Sequence, residues 1–215
     1  MTSDFVLYGS PHSQFTYKVA LMIRLSGHPF AFRHVSFQRG MHRTPEFLAL
    51  SRWGQVPVLV HQERRLTQSG AILEYLADVL GTFRGSQQEV REWLFWDADR
   101  LASPVYGCYG VRLGELKLLP ISVDPVIAAH YRVGLEAALM ALDGQLAPNS
   151  FLVGTEPSIA DLACYGDVAF AAMSGFEITR WRNIAGWAKR LTNLDGFALP
   201  LDLLPMADAL IELSG

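Results

Sequence analysis

Residues 44–80 read TPEFLALSRWGQVPVLVHQERRLTQSGAILEYLADVL, and this stretch decides the fold. Val58-Leu59-Val60 is a short apolar strand entered directly through Val56-Pro57. Proline lacks an N–H and pre-sets φ, so it suits a strand entrance and not a strand centre. X-Pro is also the peptide bond that adopts cis at modest cost. A charged turn is expected at Gln62 to Arg65, after which Gln68-Ser69-Gly70 opens an amphipathic helix. A helix start leaves its first N–H groups unpaired, which makes Gln68 and Ser69 a natural seat for a carboxylate. Thr44 and Pro45 begin a short helix, as N-cap and first helical residue.

Upstream, Phe5-Val6-Leu7-Tyr8 reads as a buried strand ended by Gly9-Ser10-Pro11. Val19, Met22 and Ile23 then fall on one helical face, stopped at Gly27 and Pro29. Phe30 to Phe37 suggests a second strand, parallel to the first through a βαβ crossover. Residues 1–80 thus form an α/β domain, and 81–88 (GTFRGSQQ) a plausible linker. Beyond it the strand signals stop. Trp93, Trp96, Leu101 and Val105 begin a helical pattern, Val126 to Leu146 carries another, and Ser158-Ile159-Ala160-Asp161 resembles a capping box. Residues 89–215 are therefore expected to be all-helical.

Half of the 215 residues are hydrophobic and 18% are charged, enough apolar surface for a sizeable core. Residues 1–80 carry eight Lys/Arg and five Asp/Glu, a net +3; residues 81–215 carry ten and sixteen, a net −6. A half this mildly basic suits a small anion and lacks the dense patch of a nucleic-acid binder. Cys108 and Cys164 are the two cysteines, which fits a reducing cytoplasm rather than a disulfide scaffold. No signal peptide is read at the start, and the apolar tract 162–176 is interrupted by Gly166 and Asp167, so no membrane span is expected.

The motifs LYGSPHSQFTYKV, GMHRTPEFLAL, GQVPVL, SGAILEYL and SIADLA occur in that order. Together they resemble the soluble glutathione S-transferases, bacterial, serine-type, near the theta, phi and zeta classes. The resemblance implies a thioredoxin-like N-terminal domain and an all-α C-terminal domain. It also implies glutathione as co-substrate, a small apolar electrophile and a cytoplasmic homodimer. Ser13 is the serine it implies for the glutathione sulfur, with Ser10 on the same turn as competitor. Val56 beside a cis-Pro57 is implied for the cysteinyl backbone, Gln68 and Ser69 for the γ-glutamyl end, and His42, Arg43 and Gln55 for the glycyl end. Tyr106, Cys108 and Tyr109 fall where the second-substrate pocket is implied, with core packing as their plain alternative. The family usually has an acid at the position of Gln68 and often Asn-Pro where Ser51-Arg52 stands.

The residues agree with that chemistry. A thiol reacts as thiolate, and both a serine hydroxyl donor and a helix N-terminus favour the charged form. His12 beside Ser13 does not make a Ser-His dyad, since no G-x-S-x-G elbow is present and adjacent helical side chains diverge. The six histidines show no metal-ligand spacing, and no phosphate-binding glycine loop occurs, so neither a metal nor a nucleotide is expected. A glutathione-dependent thiol–disulfide oxidoreductase or isomerase, and a non-catalytic binding protein, share the fold and remain alternatives.

Overall fold

Alternation of Phe5, Leu7 and Gly9 toward the core makes β1 (Phe5–Gly9) the central strand of a five-stranded sheet. This computed structural model describes residues 4–212. The first of its two units runs to Thr82 and takes in the chain from Leu194 onward; the second is Phe83–Asn193. In the first unit, helix α1 (Gln14–Leu25) carries the chain from β1 to the parallel strand β2 (Phe30–His34), shorter than the sequence suggests. β3 (Val58–His61) runs antiparallel to β1, with Tyr8 opposite Val58, and β4 (Arg64–Thr67) antiparallel to β3. The turn between β3 and β4 is Gln62-Glu63, with Gln62 at φ 54°, so Arg64 and Arg65 lie in a strand and not in the turn. Helices α2 (Pro45–Leu50) and α3 (Ser69–Leu80) complete this part. Thr44 caps α2 by accepting from Phe47 N, and left-handed Gly81 closes α3.

The last stretch of chain departs from the all-helical expectation for 89–215. Ala209–Ile211 forms β5, antiparallel to β2, at the sheet edge. The Tyr17 hydroxyl donates to Ala198 O at 2.9 Å and Arg24 Nε to Gly196 O at 3.2 Å, while Arg24 Nη1 donates to Glu212 O. Asp208 Oδ1 accepts from His34 N at 2.8 Å. A three-residue strand whose stability comes from pairing some 180 residues away leaves little periodic signal, so tertiary context decides it.

The second unit is helical, and it begins within the expected 81–88 linker. Phe83 O accepts from Ile159 N, and a Cβ on Gly85 would lie 2.9 Å from Val90. Helix α4 (Gln87–Trp96) continues through a π-turn (Asp97–Leu101) into α5 (Ala102–Glu115). Trp93 and Trp96 meet edge to face at 5.1 Å. Helix α6 (Pro125–Leu146) opens on Asp124, whose carboxylate accepts from Val126 N. Helix α7 (Ile159–Met173) is buried along almost its whole length, because Ala160, Ala163, Cys164 and Gly166 leave room for neighbours. Helix α8 (Arg182–Thr192) puts Ile184, Trp187 and Leu191 into the core. A four-residue helix α9 (Pro200–Leu203) belongs to the first unit.

Asp161 organises the second unit. Its fully buried carboxylate accepts from Ser158 N (2.9 Å), Ser158 Oγ (3.0 Å), Leu152 N (2.9 Å) and Trp187 Nε1 (2.8 Å). The capping box read at Ser158–Asp161 is thus also the tie that fixes the indole of α8 and the turn before α7. Burial pushes the Asp161 carboxyl up, and those hydrogen bonds oppose the rise. Asp161→Ala should destabilise the fold by about 3 kcal/mol or more, because each buried donor left unpaired costs about 1–3 kcal/mol. Urea unfolding monitored by tryptophan fluorescence checks this; a loss below about 1 kcal/mol contradicts it.

Candidate functional site

The end of β1 is built by a close approach. A Cβ on Gly9 would lie 2.1 Å from Thr16 Cγ2, so only glycine lets the first turn of α1 sit against the strand end. Ser10 N donates to Thr16 Oγ1 at 3.3 Å and Ser13 N to Ser10 O at 3.0 Å, closing the connecting turn. Ser13 becomes the N-cap of α1, its Oγ accepting from Thr16 N at 3.2 Å. Accepting with a lone pair leaves the hydroxyl hydrogen free to donate outward. Ser13 is half-buried, whereas Ser10 is buried with its Oγ accepting from His12 N at 3.3 Å. Burial and the neighbouring His34 hold the His12 imidazole below its usual range.

At the same end of the sheet, the Val56–Pro57 peptide is cis and Val58 pairs with Tyr8. Ser51, whose effect the sequence did not reveal, sets the approach to this peptide. It is fully buried, donates to Gln55 O at 2.8 Å and accepts from Gln55 N at 3.1 Å. Beneath lies an apolar cluster of Val35, Phe47 and Val58 with Tyr8, Leu50 and Val56. Val35 N donates to Gly9 O at 2.7 Å, joining that cluster to the Ser13 loop.

Two further loops converge here. Gly40, at φ 68°, leads into the 3₁₀ turn Met41–Arg43. Gly54, at φ 62°, packs so closely that a Cβ would lie 2.8 Å from His42 O, which fixes the His42 turn beside the Gln55 loop. The Phe37 ring lies 4.7 Å from the His42 ring. His42 Nδ1 is buried without a hydrogen-bond partner among the described residues. Its desolvation, with the Arg43 cation beside it, lowers the imidazole pKa. Gln68 Nε2 reaches Gln55 Oε1 at 3.4 Å, and Ser69 begins α3. Gln68 holds φ 69°, ψ 114°, a region costing a non-glycine residue about 1–3 kcal/mol, which persists where surrounding structure over-determines it.

The structure therefore gathers Gln55, Val56, Pro57, Gln68 and Ser69 with the His42-Arg43 turn, and links Ser13 to them through the Gly9–Val35 bond. Tyr106, Cys108 and Tyr109 differ in exposure. Tyr106 is 69% exposed on α5, whereas Cys108 and Tyr109 are buried in the helical core, with Tyr109 edge-on to Phe170 at 5.0 Å. Burial pushes the Cys108 thiol up to about 11, Arg132 offsetting part of the rise, and the Tyr109 hydroxyl up to about 12. Among the described residues no three His, Cys, Asp or Glu side chains group to hold a metal ion, and no helix is long and apolar enough to cross a membrane.

Comparison with known proteins agrees with this geometry. Residues 3–78 match the family model "Glutathione S-transferase, N-terminal domain", and residues 124–193 the corresponding C-terminal domain. The chain is 28% identical to human glutathione S-transferase theta-2 over 191 residues, 83% of this chain and 77% of that one. It is 24% identical to the disulfide-bond oxidoreductase YfcG of Escherichia coli over 186 residues, 81% of this chain and 84% of that one. Among solved structures, a glutathione S-transferase from Pseudomonas fluorescens superposes with a TM-score of 0.85 at 29% identity, covering 93% of this chain and 100% of the other.

Neither cysteine of the folded chain should behave as a reactive thiol. Both are buried. At pH 8 a thiol of pKa about 11 is thiolate in about one molecule in a thousand. A chromogenic disulfide reagent should label neither in the native protein within minutes and both after unfolding in guanidinium. Rapid native labelling of Cys108 contradicts its placement.

Proposed function

This chain belongs to the glutathione S-transferase family, and from that premise we propose that it activates glutathione as a thiolate for attack on a small apolar electrophile. Glutathione chemistry is what family membership supports; the transfer reaction and the roles of the residues are our reading. The observation that carries it is Ser13. Its oxygen already accepts as the α1 cap, so its hydrogen remains available to donate to an acceptor such as a bound sulfur. Placed against a sulfur there, that O–H and the N-terminal end of α1 both favour S⁻ over S–H. Each unit of thiol pKa lowering corresponds to about 1.4 kcal/mol, within reach of one charge-assisted hydrogen bond.

The other groups orient the tripeptide. The backbone of Val56, aimed by Ser51 and the cis bond, pairs with the cysteinyl amide. The α3 start at Gln68-Ser69 receives the γ-glutamyl carboxylate. Gln68 offers the ammonium a neutral acceptor where the family usually places a charge. The His42-Arg43 turn meets the glycyl end, with Arg43 supplying charge. The electrophile is attacked directly, with no covalent bond to the protein.

We also assign the chain to the cytoplasm, supported by its two free cysteines, and to a homodimer. Val126, Val133 and Met140 repeat every seven residues on α6 and remain 65–77% exposed, an apolar stripe suited to a subunit contact. Similarity to YfcG raises disulfide exchange as a second reading. With Ser13 in the loop and Cys108 unreactive, any exchange runs between glutathione and substrate without a protein thiol.

Calorimetric titration of glutathione, followed by turnover over a panel of electrophiles, tests the assignment. Saturable binding with conjugate formation is expected; binding without turnover contradicts transfer. Ser13→Ala should lower kcat about a hundredfold or more, by about 2.7–4 kcal/mol of transition-state stabilisation, with an unchanged circular dichroism spectrum. Full activity in Ser13→Ala, with its loss in Ser10→Ala, assigns the sulfur to the wrong serine.

A further inference from the structure

Helix α8 carries two residues that its own stability does not favour. Arg182 stands at its first position, where the positive end of the helix dipole repels a cation. Gly186 stands in its interior, where glycine is destabilising relative to alanine. No neighbour demands that glycine: a Cβ there would meet only Arg190 Nη1, at an ordinary 3.6 Å. Departures from local rules concentrate at functional or strained positions.

Both residues line one open cleft of about 310 Å³, together with Asn149, Ser150, Asn183 and Arg190. The spacing 182, 186, 190 places the two arginines and the bare glycine along one helix face. Arg190 is fixed by donating Nε–H to Ser150 O at 3.0 Å and by lying over the Phe151 ring at 5.8 Å. No acid lines the cleft. Asp143 of α6, the acid that faces the start of α8, is already engaged by Asn183 N, Ile184 N and Asn183 Nδ2. Among the described residues neither Arg182 nor Arg190 has a carboxylate within ion-pairing distance.

We propose that this cleft binds a phosphate-type oxyanion, free or as the phosphoryl end of a small metabolite, between Arg182 and Arg190 and over the backbone of Gly186. The guanidinium fork matches tetrahedral oxyanions, and two such groups facing one space with no counter-charge favour an anion between them. The cleft lies wholly within the helical unit and does not depend on the glutathione reading.

Calorimetric titration of the intact chain with inorganic phosphate, at constant ionic strength with chloride as control, tests the site. Saturable binding of one phosphate per chain is expected. Arg182→Gln should weaken it about tenfold, as loss of one partly exposed charged contact. Gly186→Glu sets a carboxylate between the arginines and should abolish it. Glutathione affinity should not change in either variant, which separates failure here from failure of the glutathione assignment. Phenyl phosphate distinguishes the source: equal affinity assigns the free ion, tighter affinity an esterified one. Absence of saturable binding, or affinity unaltered in both variants, overturns the proposal.

Discussion

The site depends on one contact, the Thr16 side chain against the bare Cα of Gly9. A methyl group there would collide at 2.1 Å, so any side chain at position 9 displaces α1 from the end of β1. With that approach in place, the turn Ser10–Ser13 closes on its own backbone and Ser13 arrives at the helix N-terminus. The same strand end accepts Val35 N through Gly9 O, and Val35 packs with Val58 and Val56. One glycine thus sets the serine loop and couples it to the cis-proline strand entrance.

A second constraint is electrostatic neutrality at the Gln68-Ser69 helix start, which we propose receives the γ-glutamyl end. Gln68 meets Gln55 at 3.4 Å, with no carboxylate in the pair. Neutral amides are cheaper to desolvate than an acid, and they give up the stronger charge-assisted bond to an ammonium. Under that proposal, recognition here rests on backbone groups and the α3 terminus. The Gln68 backbone holds φ 69°, ψ 114° at that helix start.

Much of this was legible in the sequence because it is local. The caps Thr44 and Ser158, the strand entrance at Pro57 and the parallel β1–β2 pair follow from chemistry within a few residues. What escaped depends on distant partners. Strand β5 pairs across the length of the chain, and Asp208 reaches His34. The role of Ser51 rests on a fully buried hydroxyl bridging both backbone groups of Gln55, which no motif encodes. Cys108 and Tyr109 differ from Tyr106 by which face of α5 is covered, a matter of packing by α7. Arg64 and Arg65 read as turn because charge suggests solvent, yet an edge strand tolerates charge well.

As proposed, Ser13 and the start of α1 stabilise the thiolate of bound glutathione. The most direct measurement is an ultraviolet titration of the thiolate of protein-bound glutathione against pH. A bound thiol pKa at least one unit below the ordinary thiol value of about 8.5 is expected, with the lowering lost in Ser13→Ala. A bound thiol that titrates like free glutathione, or a lowering that survives removal of the Ser13 hydroxyl, contradicts it.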